Sequence, residues 1–97
     1  MQVKVSRHAF QRIRERCGLN KKSAERLAQK AFDNGIRHGQ TKGNLYKWVT
    51  AQYFKNENID NLIIYGDNLY LFDGYTLVTV FRVPNNLLKN LDSMVKR

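Results

Sequence analysis

Residues 59–83, IDNLIIYGDNLYLFDGYTLVTVFRV, decide the fold of this 97-residue chain. Three runs rich in aliphatic, β-branched and aromatic residues occupy 59–65, 68–72 and 75–83, a composition typical of strands. Gly66-Asp67 and Asp73-Gly74 separate the runs. Asp-Gly between two such runs is a strong hairpin signal, because both central residues of a type I′ turn need a positive φ. The stretch therefore predicts a three-stranded antiparallel meander.

The last run predicts a central strand that is covered on both faces. Its side chains alternate, and both sides are largely apolar. One side carries Tyr75, Leu77, Thr79, Phe81 and Val83, and the other carries Thr76, Val78, Val80 and Arg82. Thr79 and Arg82 are the polar exceptions. An arginine beside a covered face needs an anionic partner, which for Arg82 is either a phosphate or a carboxylate such as Glu15 or Asp73.

Two helices are predicted before the meander by their end signals. Ser6 is a good N-cap and Gly18 a good C-terminal stop, which places the first helix at about 7–17. Asn20 caps a second helix from 21 to 34, which ends at Asn34-Gly35. Its apolar residues recur at helical spacing: Ala24, Leu27, Ala28, Ala31 and Phe32.

Two further helices are predicted from apolar periodicity. A third helix, at about 42–54, has the i, i+3, i+4, i+7, i+8 spacing of Leu45, Trp48, Val49, Gln52 and Tyr53. Pro84 closes the sheet, and Asn85 or Asn86 caps a final helix to about residue 96. Its core stripe consists of Leu87, Leu88, Leu91, Met94 and Val95.

The predicted fold is a single α+β domain over residues 1–97. About three helices come first, then a three- to four-stranded antiparallel meander, then a C-terminal helix. Residues 2–5 alternate in polarity and could supply a short edge strand. A chain of 97 residues is too short for two independent cores.

The composition points to a polyanionic partner. Seventeen Lys and Arg against eight Asp and Glu give a net charge of +9, and nucleic acid is the commonest polyanion. No apolar run approaches a membrane span, and the N-terminus lacks the apolar block of a signal peptide. The single cysteine cannot form an internal disulfide. We therefore expect a cytoplasmic protein with no membrane association.

The first helix carries two stripes. Ala9, Phe10, Ile13 and Cys17 share one face, which predicts that these four side chains are buried in the core. His8, Arg12 and Arg16 follow at i, i+4 and i+8, so one imidazole and two guanidiniums are aligned along the border of that face. Such a stripe can bind phosphate. The basic side chains of a helix face that only contacts solvent have the same spacing.

The run His8-Ala9-x-x-Arg12-Ile13-x-Glu15-Arg16 also resembles a known pattern. It is similar to the opening, H-A-x-x-R-φ-x-E-R with φ apolar, of small prokaryotic and phage-borne domains of unknown function. Those domains resemble the barnase/EndoU/colicin/RelE-like ribonuclease toxin superfamily, in which helices precede a small antiparallel sheet. Leu77-Val78-Thr79-Val80-Phe81-x-x-Pro84 resembles the last strand of such toxins.

This resemblance implies roles for individual residues. His8 would be the general acid/base, Arg12 and Arg16 would bind phosphate, and Thr79 would orient it. Arg82 is added as a phosphate ligand from strand alternation and not from the family. The chain departs from the superfamily in one respect, since many of its ribonucleases have a catalytic histidine in the sheet and these three strands contain none.

The available chemistry suits metal-independent RNA cleavage, in which the ribose 2′-OH loses a proton and the leaving 5′-oxygen gains one. No cofactor is expected, and no Cys/His spacing fits a zinc site. The first hypothesis is therefore a small endoribonuclease, toxin-like or phage-borne, that acts on RNA rather than DNA. The alternative is a non-catalytic accessory module of a phage or mobile element that binds RNA, DNA or another protein. An antitoxin or other protein is a further candidate partner.

Residues 38–58 carry no resemblance. Within or beside them, His38 in a glycine-punctuated loop is either a site residue or incidental. Trp48 and Tyr53 are either core aromatics or a base-stacking platform.

Overall fold

A computed structural model describes residues 2–55 and 58–89 and shows a single α+β domain, as predicted. Residues 85–89 are helical, which confirms the start of the predicted C-terminal helix. Its remainder, with Leu91, Met94 and Val95, lies outside the described residues. The elements in chain order are β1 (Lys4–Val5), α1 (Arg7–Cys17), α2 (Lys21–Asn34), β2 (Ile36–Arg37), a 3₁₀ turn (His38–Gln40), α3 (Gly43–Lys55), β3 (Asn61–Tyr65), β4 (Asn68–Asp73) and β5 (Thr76–Arg82).

Within the described residues, the sheet has five strands in the order β1-β5-β4-β3-β2. The predicted meander of β3, β4 and β5 is confirmed, and so is the short edge strand near residue 4. The expectation of a purely antiparallel sheet of three or four strands is wrong. β1 runs parallel to β5, and β2 adds to β3 from Ile36–Arg37, outside the predicted strands. β2 has only two residues, too few to produce a recognisable alternation.

The two hairpin turns differ from the expected type. Tyr65 pairs with Asn68 and Asp73 with Thr76, so the central residues are Gly66-Asp67 and Gly74-Tyr75. Both glycines have a positive φ, 61° and 62°, whereas neither residue that follows does. A positive φ at the first central residue alone is the pattern of a type II′ turn. The second turn therefore lies one residue later than Asp73-Gly74 predicts.

Local capping fixes the ends of α1 and α2, and their predicted bounds are confirmed. The Ser6 hydroxyl accepts from the Ala9 N–H at 3.1 Å, and the Asn20 side chain accepts from the Ser23 N–H at 2.9 Å. Gly18 ends α1 with φ +66°. α3 begins and ends one residue later than predicted.

The sheet separates two hydrophobic clusters. One face packs against α1 and α2, and the other packs against α3 and the helical residues 85–89. The first cluster includes Ala9, Ile13, Ala24, Ala28, Ala31, Ile63, Tyr70, Phe72, Leu77 and Val80. The second includes Leu45, Val49, Leu62, Ile64, Leu69, Leu71, Val83 and Leu87. Because β4 contributes to both clusters, the middle of the sheet is buried on each side.

A glycine allows α2 to approach the sheet closely. Gly35 follows the last residue of α2 and has an ordinary negative φ, so backbone freedom does not explain it. A Cβ at this position would overlap the Ile63 side chain and the carbonyl oxygens of Ala31 and Ile64. The short connection from α2 to β2 therefore requires a residue without a side chain.

The first helix is buried less deeply than its sequence predicts. Ala9 and Ile13 are fully covered, as expected. Phe10 is only half-buried at the edge of the first cluster. Cys17 is exposed, so its predicted burial is wrong. It is the last residue of α1, where no following helical turn covers it.

A β-bulge in β5 overturns the predicted alternation of that strand. Leu77 pairs with Phe72, but Thr79 pairs with Leu71, which leaves Val78 as an extra residue. Leu77 and Val80 consequently face α1 and α2, whereas Val78 and Phe81 pack against the second cluster.

The packing of α1 predicts a large stability contrast between neighbouring residues. Ile13→Ala should lower the free energy of unfolding by about 2–5 kcal/mol, through reduced burial and the cavity left behind. Arg14→Ala, on the exposed side of the same helix, is the matched control and should leave it nearly unchanged. Urea unfolding of both variants measures the difference. Equal effects would contradict the assigned core face of α1.

Candidate functional site

The predicted phosphate stripe lies on α1. His8 and Arg16 are exposed and Arg12 is half-buried. Because they follow one another at four-residue intervals, successive members of the stripe are one helical turn apart. The structure therefore keeps an imidazole and two guanidiniums in a row that solvent can reach.

Thr79 does not join this stripe. It pairs with Leu71, whose side chain belongs to the cluster under α3, and residues opposite each other in an antiparallel pair share a face. Ala9 and Ile13 of α1 pack on the other face. The expected convergence of Thr79 with His8 and Arg12 is therefore wrong, because the sheet itself lies between them.

The Thr79 side chain is also closed to a substrate. The residue is only 5% exposed, and within the described part of the chain its Oγ1 has no hydrogen-bond partner. A buried hydroxyl without a partner destabilises the fold.

Arg82 lies on the same side of the sheet as α1. It pairs with Asn68, which in turn pairs with Tyr65, a residue that packs against the cluster under α1 and α2. Its side chain is exposed, so the expected need for an anionic partner beside a covered face does not arise. Of the two strand residues in the predicted site, Arg82 alone shares a face with His8 and Arg12.

A buried phenol lies on that same face of the sheet. Burial raises the pKa of Tyr70 to about 12. The neighbouring Cys17 and Tyr65 add to this increase in pKa, and a hydrogen bond with the Asn68 side chain opposes it. Tyr70 is consequently a neutral hydroxyl at physiological pH and serves the packing of the first cluster.

A second set of functional groups lies across the sheet, around His38. The His38 Nε2 is 2.8 Å from the Thr50 Oγ1, and the imidazole stacks on Tyr46 with 4.9 Å between ring centroids. The Thr41 hydroxyl donates to the His38 carbonyl at 2.6 Å. His38 is therefore held from both its ring and its backbone.

Arg37, the residue before His38, is fixed by contacts with the end of α2. Its guanidinium donates to the Phe32 carbonyl and lies over the Phe32 ring, 4.8 Å from the centroid. Its backbone N–H donates to the Gln40 side chain at 2.8 Å. The chain thus presents a guanidinium and an imidazole from adjacent, well-anchored residues.

Arg37 and His38 line a cleft of about 400 Å³. Its lining also includes Asn61 and the Asp60 carboxylate, which accepts from the Gly74 N–H at 2.8 Å. The lining includes Arg37, His38, Tyr53, Asp60, Asn61 and Leu62. This volume lies within the usual range of small-molecule sites, roughly 300–1,000 Å³.

The structure resolves the two alternatives for the aromatic residues of α3. Trp48 packs against the second cluster and is a core aromatic, whereas Tyr53 is 43% exposed. Sequence reasoning did not identify the His38 cleft as a site. A signal was present, because Tyr46, Thr50 and Tyr53 follow at i, i+4 and i+7 and so share one side of α3.

Neither metal ligation nor a membrane span is found in the described residues. Within residues 2–55 and 58–89, no three His, Cys, Asp or Glu side chains are grouped so that they could hold a metal ion. No helix in the same ranges is long and apolar enough to cross a membrane.

Comparison of the chain with protein-family models, curated proteins and solved structures finds no match. The resemblance of the opening motif to ribonuclease toxins therefore stays an expectation from sequence.

The unpaired hydroxyl of Thr79 leads to a stability prediction. Thr79→Val should raise the free energy of unfolding by about 1 kcal/mol, because it removes a buried group that loses its hydration without gaining a hydrogen bond. Thr41→Val is the matched control: Thr41 is equally buried, but its hydroxyl donates to the His38 carbonyl. That variant should be destabilised by about 1 kcal/mol. Denaturant midpoints compare the two, and a Thr79→Val protein less stable than the wild type would contradict this account.

Proposed function

We propose that this protein binds RNA through the basic outer surface of α1 and α2. The observation that carries the proposal is the distribution of charge. Residues 2–34 contain nine Lys and Arg against three Asp and Glu, which is most of the net +9. Eight of the nine are exposed: Lys4, Arg7, Arg14, Arg16, Lys21, Lys22, Arg26 and Lys30.

The fold gathers these charges on one side. α1 and α2 pack on the same face of the sheet, so their outer surfaces form one layer. A layer of this kind attracts a polyanion and gains affinity as phosphate contacts release counterions. The resemblance of the opening motif to ribonucleases favours RNA over DNA.

Salt dependence and charge removal test this proposal together. Affinity for RNA should fall steeply as salt rises from about 50 to 200 mM. The double substitution Lys21→Gln and Lys22→Gln on α2 should weaken binding and reduce the slope of log affinity against log salt by about one for each phosphate that is no longer bound. Lys89→Gln is the control, since Lys89 is exposed in the helical residues 85–89, which pack on the other face of the sheet. No binding at about 50 mM salt, or an effect of Lys89→Gln equal to that of the double substitution, would refute the proposal.

A second candidate function, metal-independent RNA cleavage, is favoured by the exposure of His8 one turn before Arg12. A histidine imidazole can take the proton of the 2′-OH or supply one to the leaving 5′-oxygen. The Arg12 guanidinium, with Arg16 and Arg82 on the same side of the sheet, would stabilise charge on the phosphate. Thr79, buried on the other face, takes no part in this candidate mechanism.

His8→Ala separates cleavage from binding. It should reduce the rate of RNA cleavage by about 10²–10⁴-fold, because the general acid/base is removed, and leave RNA affinity nearly unchanged. Arg12→Ala should lower both. Cleavage rates measured in EDTA on identically purified proteins give the comparison. Equal cleavage by the wild type and His8→Ala would show that His8 is not catalytic and that binding is the better assignment.

A further inference from the structure

α3 exposes aromatic side chains that the second cluster does not use. Four large hydrophobic residues in the described part of the chain are exposed: Tyr46 at 43%, Tyr53 at 43%, Phe54 at 80% and Tyr75 at 43%. Three of these lie on α3, where Tyr46, Tyr53 and Phe54 follow at i, i+7 and i+8. Clustered exposed aromatics on one helix face are a signature of a binding surface.

The aromatic stripe of α3, Tyr46, Tyr53 and Phe54, borders the His38 cleft. Tyr53 lines the cleft, and the Tyr53 and Phe54 rings meet edge to face with 5.5 Å between centroids. The Tyr46 ring stacks on the His38 imidazole. A cleft that is lined by an aromatic ring and polar side chains suits a planar ligand with a polar edge, such as a nucleobase.

The charge around the stripe favours a nucleic acid over a protein. Between residues 35 and 55 the chain has four basic residues and no carboxylate. Arg37 lines the cleft, and Lys42, Lys47 and Lys55 are exposed in the same stretch of chain. Exposed aromatic side chains on a segment of net positive charge match a strand with aromatic bases on an anionic backbone.

We propose that the aromatic stripe and the His38 cleft bind the unstacked bases of single-stranded RNA. One base stacks on Tyr53 or Phe54, and another enters the cleft. Asp60 and Asn61 meet its polar edge there, and Arg37 faces the adjoining phosphate. A duplex cannot use this surface, because its bases are stacked and paired. The proposal rests on the proposed RNA binding and adds the form of RNA that is recognised.

The anchoring of the cleft is consistent with this use. The hydrogen bond between His38 and Thr50, the stacking on Tyr46 and the contacts of Arg37 with Phe32 hold the polar groups in place before a ligand arrives. Pre-organised groups lose less conformational entropy on binding. The side chains of Arg37, His38 and Asp60 are thus fixed by contacts that do not need the base.

The test compares single-stranded and duplex RNA on matched variants. The probes are a fluorescently labelled unstructured RNA of about 12 nucleotides, within the span of a small single-strand-binding domain, and the blunt duplex of the same sequence. Tyr53→Ala should weaken binding of the single strand about tenfold, the effect of losing one stacked base, and leave duplex affinity unchanged. Phe54→Ala should act in the same direction. It tests the stripe even if Tyr53→Ala is poorly folded, because Phe54 is 80% exposed and contributes little to the core.

Two control variants separate stacking from general damage. Tyr53→Phe keeps the ring and should retain wild-type affinity. Tyr75→Ala removes an equally exposed tyrosine that is not on α3 and should change neither affinity.

Three results would overturn the proposal. The first is wild-type affinity of both Tyr53→Ala and Phe54→Ala for the single strand. The second is an equal loss for the single strand and the duplex. The third is a change in the oligomeric state of either alanine variant on gel filtration without a change in its RNA affinity, which would make the stripe a protein contact. Failure of RNA binding itself gives a different result, since the wild type would then bind neither probe.

Discussion

The side chain of Ser6 links the first helix to the sheet. Its hydroxyl accepts from the Ala9 N–H and donates to the Val78 carbonyl at 3.1 Å, and its backbone N–H donates to the Leu77 carbonyl at 3.0 Å. One residue therefore begins α1, ends β1 and binds the bulged part of β5. The two hydrogen bonds to β5 join residues more than seventy positions apart. They set where the row from His8 to Arg16 lies relative to the strands.

The sheet divides the molecule into two surfaces with different chemistry. The layer of α1 and α2 carries most of the positive charge, whereas the side of α3 carries the exposed aromatics of that helix and the anchored His38. Charge attracts RNA without regard to its bases, and aromatic stacking requires bases that are not paired. If both proposals hold, a single strand that contacts both surfaces must pass around an edge of the sheet, because the buried middle of the sheet separates them.

Sequence reasoning succeeded where the physical cause was local. The caps Ser6 and Asn20 and the stop Gly18 gave the bounds of α1 and α2, and the three β-rich runs gave the meander. It failed where the cause was tertiary. The bulge at Val78 depends on how β5 meets β4, and the strand β2 and the parallel direction of β1 depend on pairing with distant partners.

The same contrast between local and tertiary causes applies to the candidate site. The helical row of His8 and Arg12 was visible from spacing, because residues four apart on a helix are neighbours. Thr79 was placed with it because resemblance carries no information about an extra residue in β5. The His38 cleft was missed because its lining comes from the 3₁₀ turn, α3 and the start of β3, whose side chains meet only once the chain has folded.

The short edge strands have a consequence for self-association of the folded protein. The apolar segment Leu69–Phe72, of a composition prone to aggregation, lies in β4, the middle strand of the sheet, and has hydrogen-bonded neighbours on both sides. The outermost strands, β1 and β2, have two residues each, and each includes a basic side chain, Lys4 or Arg37. Such edges offer little backbone to a second copy and repel it by charge. Fibril growth from this chain would therefore have to start from molecules whose sheet has already opened.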